Sequence, residues 1–213
     1  SFPSGHTQNA IGLFGGMARW GGRRWVRLGL AALALVIAFS RMYLGVHTPA
    51  DVGVSLLLAA ALVLGLYPLM RRAQGKPRCM GYVPAAMLVV SGAFVVFVET
   101  YGFSADTDAE NLASGIGNAW KMLGAVAGMT LAWLLDRRYI HFETQAVWWV
   151  QVIKVVVGMA LLLAIKSGLK APLLALLGHE GLAGGVRYFL LVLVAGAVWP
   201  LAFRPMSKWG KQK

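Results

Sequence analysis

Two short groups of residues in this 213-residue chain have the types and spacing for chemistry at phosphorus. Pro3-Ser4-Gly5-His6 stands at the start, and Ser40-Arg41 is followed by His47 and Asp51 in the pattern S-R-x5-H-x3-D. A histidine can attack phosphorus or carry a proton near neutral pH. An arginine keeps its charge and presents a planar fork that matches phosphate. Asp51 follows His47 by four residues, so on a helix the two share one side. A carboxylate there can accept a hydrogen bond from one imidazole nitrogen, fix the tautomer and leave the other nitrogen free to attack. The bland alternative for Asp51 is an acid in a helix's first turn, favoured by the dipole. Arg41 tilts the balance, because an arginine in an apolar helix is costly without a partner or a polar cavity. Ser40 adds a hydroxyl beside it. In the first group Ser4 can cap the following helix and Gly5 lets an oxygen approach the backbone N–H. His6 is suited to give a proton to a leaving oxygen. The first group alone is a weak signal, more often a turn; paired with the second it is a strong one.

These residues must be held by helices in a membrane. The chain is 58% hydrophobic and 13% charged, with mean hydropathy +0.66. That composition excludes a disordered chain and argues against a soluble globule. Stretches near the ~20 apolar residues that a span requires run over 28–46, 49–70, 82–98, 116–135, 146–165 and 186–203. A shorter one, about 8–18, completes a helix starting near Ser4. The expectation is an all-α polytopic bundle of about seven transmembrane helices, since the runs are continuous and lack the alternation of barrel strands. Thr48-Pro49 reads as a helix start, with Thr as the cap and Pro at the first position. That places His47 just outside a helix N-terminus.

The net charge of +12 raises nucleic acid as a partner, but the cations sit in alternate loops. Arg19, Arg23, Arg24 and Arg27 form one group; Arg71, Arg72, Lys76 and Arg78 another; then Arg137 and Arg138; then Arg204, Lys208, Lys211 and Lys213. The intervening loops hold the acids Glu99, Asp106, Asp108 and Glu110. This is the positive-inside pattern of insertion topology, not a nucleic-acid surface. It assigns the segments around Ser4, Ser40–Asp51, Glu99–Asn111 and Ser167–Gly181 to the non-cytoplasmic side. On this reading Ser167–Gly181 and His179-Glu180 belong to an outer loop, and His141 to an inner one. Gly124 and Gly128 form a GxxxG pattern, read as close helix packing. Lys154, deep in an apolar stretch, is expected to snorkel to the cytoplasmic side. Asn118, Lys121, Lys166, Lys170 and Arg187 are read as interfacial anchors in preference to headgroup contacts. Cys79 stands alone, so the chain has no intrachain disulfide and no zinc spacing.

The two blocks resemble the second and third motifs of the type 2 phosphatidic acid phosphatase (PAP2) superfamily. The match holds at Pro3, Ser4, Gly5, His6, Ser40, Arg41, His47 and Asp51, and the separation of the blocks fits. The resemblance implies that His47 forms a phosphohistidine, Asp51 orients it and His6 protonates the leaving group. It implies that Arg41, Ser4, Gly5 and Ser40 bind phosphate, and that no metal or cofactor takes part. The family's first motif, K-x6-R-P, does not occur in this chain, which is therefore read as a fragment beginning inside the second motif. The motif resemblance covers residues 2 to about 70, giving a division into a catalytic part, 1–70, and further membrane helices, 71–213. The implied function is a metal-independent hydrolase of a lipid phosphate or polyprenyl diphosphate in a bacterial inner (plasma) membrane, acting on the non-cytoplasmic side. Its expected partners are the bilayer and an amphiphilic phosphate. The alternatives are a phosphatase of a soluble sugar phosphate and a non-catalytic transporter or lipid-binding relative. A transporter explains the spans and buried charges but does not require the eight matched positions.

Overall fold

The computed structural model describes residues 4–20, 23–73, 76–104, 106–142 and 144–209, and omits the side chains of 77–79. Pro3, Gly21-Gly22, Lys211 and Lys213, and the side chains of Arg78 and Cys79, lie outside the described residues. Every described element is helical, and the chain divides into two compact units, Ser1–Met80 and Gly81–Lys213.

In the first unit, α1 (Gly5–Ala10) passes through a π-helical turn, Ile11–Gly15, into α2 (Gly16–Trp20). It is followed by α3 (Arg24–Tyr43) and α4 (Pro49–Ala73), and α1 packs against both. The buried positions are small: Ala10, Ala34, Ala38, Ser55 and Ala59, together with Val52. The large apolar side chains point outward, with Val36 63% and Leu57 67% exposed. A water-soluble protein buries such residues. In lipid there is no hydrophobic drive to do so, and small residues at the contacts let the backbones approach.

The second unit holds α5 (Pro77–Thr100, from Gly81 onward), α6 (Ala109–Leu135), α7 (Trp148–Gly168), α8 (Lys170–Leu177), α9 (Glu180–Leu193) and α10 (Phe203–Ser207). A π turn, Val194–Val198, and a 3-10 turn, Trp199–Ala202, join α9 to α10. Pro200 lies in that stretch; its missing N–H breaks the regular ladder and accounts for the change of pitch. The main contact is α6 on α9. A Cβ at Gly124 would overlap the Gly185 carbonyl, and one at Gly128 would sit 2.6 Å from the Phe189 carbonyl oxygen. The GxxxG pattern is thus the seam of this helix pair.

Among the described residues, seven helical rods correspond to the seven expected spans. Among the described residues five are long and apolar enough to cross a membrane: Arg24–Tyr43, Pro49–Ala73, Met80–Thr100, Trp148–Leu177 and Glu180–Ser207. The rod from Gly5 to Trp20 is too short for that criterion. α6 is long enough, but its first half carries Glu110, Asn111, Ser114, Asn118 and Lys121. Three expectations about the ends are corrected. Residues 167–181 are not a loop, because the helix resumes as α8. His179-Glu180 starts a helix: the His179 Nδ1 accepts a hydrogen bond from the Leu182 N–H at 3.0 Å, capping α9. α6 begins at Ala109, with the Asp108 carboxylate accepting from the Asn111 N–H at 2.9 Å. Polar caps extend helices past their apolar cores, which a hydropathy reading misses.

Lys154 is also corrected. It bends toward the loop at its own end of the unit, donating to the Thr144 carbonyl at 3.3 Å, but it stays 4% exposed. Its ammonium lies 4.5 Å from the centre of the Phe203 ring, and its carbonyl accepts from the Trp199 indole at 3.1 Å. Protein groups therefore contact this buried charge directly.

Candidate active site

The local sequence of the second block explains its shape. α3 ends when Leu44 N–H bonds back to the Ser40 carbonyl and Gly45 N–H to that of Met42. Gly45 sits at φ 67°, a left-handed conformation that a glycine adopts without cost. This turn brings the chain from Arg41 to His47. Thr48 and Asp51 then cap α4 reciprocally. The Thr48 N–H donates to Asp51 Oδ2 at 2.8 Å, and the Asp51 N–H donates to Thr48 Oγ1 at 3.2 Å. This is a capping box with Asp in the place of the usual Glu. It does more than start a helix, because it fixes the carboxylate that faces His47.

His47 Nδ1 lies 3.5 Å from that same Oδ2, and the two side chains are 8% and 17% exposed. The contact is an ion-pair distance, longer than a hydrogen bond, and Nδ1 is buried without a hydrogen-bond partner. Catalytic hydrogen bonds are commonly long before substrate arrives. With Nδ1 turned to Asp51, the other ring nitrogen, Nε2, is the one left for a ligand.

Arg41 lies in the last turn of α3, half-buried, and its Nε is buried with no hydrogen-bond partner among the described residues. Ser40 is half-buried as well, and its hydroxyl donates to the Ile37 carbonyl at 2.7 Å, so its proton is engaged within the helix. The first block meets the second through the backbone: the Ser4 N–H points to the Asp51 carbonyl at 3.4 Å. Ser4 is fully buried and its Oγ accepts from the Thr7 hydroxyl at 3.1 Å. Gly5 opens α1, with free space where a Cβ would stand. His6 is exposed in the same first turn. Among the described residues neither His6 nor Arg41 has a hydrogen bond or ion pair to the His47–Asp51 couple.

Two features that shape the site are not legible in the sequence. Gly45 was marked only by a glycine following an apolar run. Thr48 was read as a cap, but its hold on the Asp51 carboxylate was not. Substituting Gly45 by Val is expected to cost about 1–2 kcal/mol of stability through its left-handed φ, read as a lowered unfolding midpoint, and to misplace His47.

A model of the PAP2 superfamily matches residues 1–74, the span that contains both blocks. A second model, described as the transmembrane extension of PAP2 superfamily phosphatases, matches residues 120–211. The helices from the middle of α6 onward, which lie beyond the two motifs, are thereby matched to the family as well. Among curated proteins and solved structures, none matches. Together the two regions take in well over half of the chain: it is an integral membrane protein that belongs to the PAP2 superfamily of phosphatases.

Proposed function

We propose that this membrane phosphatase hydrolyses a phosphate monoester or diphosphate of an amphiphile through a phosphohistidine on His47. The observation that carries the reading is the His47–Asp51 couple, 3.5 Å apart, with the unpartnered Arg41 guanidinium six residues before it on the preceding helix end. In the first step Nε2 of His47 attacks phosphorus in line. The P–N bond forms, the bond to the leaving oxygen breaks, and His6 gives that oxygen its proton. Asp51 stabilises the positive imidazole as charge develops on it. In the second step His6 takes a proton from water, the water oxygen bonds phosphorus, and the P–N bond breaks to release phosphate.

Fixed donors must hold the phosphoryl oxygens throughout. Arg41 supplies charge, and Ser4, Gly5 and Ser40 supply polar groups at the ends of α1 and α3. Ser40 has to turn its hydroxyl away from Ile37 to donate. The basic clusters in alternate loops favour a site on the non-cytoplasmic side. The exposed apolar flanks of α3 and α4 favour a substrate that arrives from the lipid layer. A soluble sugar phosphate would use the same residues, and a comparison of lipid and water-soluble phosphates in detergent separates the two.

The covalent step is tested by incubating the protein with a 32P-labelled substrate and quenching in alkali, where phosphohistidine survives. The expected result is label on the peptide containing His47, with none in His47→Ala. Steady turnover of the labelled substrate without any trapped label, including in a His6→Ala variant slowed in its second step, overturns the covalent route.

A further inference from the structure

A cavity of about 570 Å³ lies wholly inside the second unit, bounded by α6, α8 and α9 and the end of α5. Its volume is that of a small-molecule site. The charged side chains on its wall are Glu99, Glu110, Lys121, Lys170, Glu180 and Arg187, three of each sign, with His179 beside them. It sits at the end of the unit opposite to the helical turns carrying Arg137, Arg138 and Arg204. α6 and α9 both start at the cavity and run toward those turns, where Arg204 donates to the His141 carbonyl.

The charges are not paired with one another. Among the described residues, none of Lys121, Lys170 and Arg187 has a carboxylate within ion-pair distance. Arg187 Nε is buried without a partner, and one of its terminal nitrogens reaches only the Lys166 carbonyl at 3.4 Å. Lys121 holds a neutral group, the Asn118 side-chain oxygen, at 3.2 Å. On the acidic side Glu99 is engaged, accepting from the Trp120 indole at 2.7 Å with His179 at 3.9 Å. Glu110 and Glu180 stand in the first turns of α6 and α9 and are exposed. A half-buried arginine with an orphaned donor is costly in a membrane protein unless a ligand completes it. A simple anion would satisfy it, but the carboxylates of Glu110 and Glu180 on the same wall favour a ligand that also carries a cation.

We propose that this cavity is a second ligand site, separate from the histidine site, that takes a zwitterionic headgroup: a phosphodiester against Lys121 and Arg187 and an ammonium against Glu110 and Glu180. The apolar part of the ligand would lie along Ile116 and Leu174, which also line the cavity. A phosphodiester is not a substrate for attack at a terminal phosphate, so the site would hold a bound lipid and not turn it over.

The test is equilibrium binding by calorimetry to the whole protein in a detergent without phosphate. The probes are a short-chain phosphatidylethanolamine, a short-chain phosphatidylglycerol and inorganic phosphate. The ethanolamine lipid is expected to bind most tightly. Arg187→Gln and Lys121→Gln should each weaken it about tenfold, the loss of one charged hydrogen bond. Glu110→Gln with Glu180→Gln should remove the preference for the amine-bearing lipid while leaving the glycerol lipid unaffected. His47→Ala should leave the affinities for the two lipids unchanged, which separates this site from the catalytic one. Lys121→Gln and the Glu pair carry the test if Arg187→Gln does not fold. Equal binding of all three probes, affinities indifferent to the cavity substitutions, or lipid binding lost in His47→Ala would each overturn the proposal.

Discussion

His47→Ala is expected to lower turnover about 10⁴- to 10⁶-fold, the scale seen when the nucleophile of an oriented catalytic couple is removed. The side chain precedes the first turn of α4 and its Nδ1 makes no hydrogen bond, so its loss removes no hydrogen bond there and folding should be retained. Asp51→Asn is expected to cost about 10²- to 10⁴-fold, because the amide keeps its place beside Thr48 but no longer stabilises a charged imidazole. The two losses should not add, since both residues serve one displacement. His6→Ala should behave differently. With a poor leaving group it should fall about 10²- to 10⁴-fold. With p-nitrophenyl phosphate, whose leaving oxygen needs no proton, the first step should be largely restored. The measurement is initial-rate kinetics on both substrate types, with thermal unfolding as a folding check. A His47→Ala protein that folds and retains a tenth of its phosphatase activity would sink the histidine-nucleophile reading. The same variant bears on the transporter alternative, which predicts transport indifferent to His47.

The largest expected loss of stability lies in the second unit, at Gly124. A methyl group there would occupy the position of the Gly185 carbonyl on α9, and at Gly128 it would press on the Phe189 carbonyl and on Val192 Cβ, 3.1 Å away. Backbone atoms cannot turn aside as a side chain can, so the helices must separate. Gly124→Ala is expected to cost about 1–3 kcal/mol, the range for overpacking, and Gly124→Leu more. Gly115 lies on the same helix with nothing near its Cβ position; Gly115→Ala is the matched control and should be close to neutral. Reversible unfolding in mixed detergent reads both. If Gly124→Ala were as stable as the parent, the close approach of α6 and α9 would be wrong. Because α6 and α9 carry Lys121, Glu110, Glu180 and Arg187, loosening this seam should also weaken ligand binding in the adjoining cavity.

What the sequence determined by itself was local. Twenty apolar residues in a row make a span whatever they pack against, because the bilayer leaves the backbone no other way to satisfy its hydrogen bonds. Thr48-Pro49 starts a helix from its own chemistry, and the eight motif positions are legible because a motif is a matter of residue type and spacing along the chain. The tertiary structure decided what depends on residues distant in the chain. The Ser4 amide meets the Asp51 carbonyl, Gly124 meets Gly185, and Lys154 meets the Thr144 carbonyl and the Phe203 ring. Hydropathy is a sum along the chain and carries no information about partners, so it cannot say which helix packs on which. Polar ends escaped it for a related reason: His179 reads as a loop residue by composition, yet one hydrogen bond to Leu182 makes it the cap of α9 and places Glu180 and Arg187 around a cavity that no linear pattern shows.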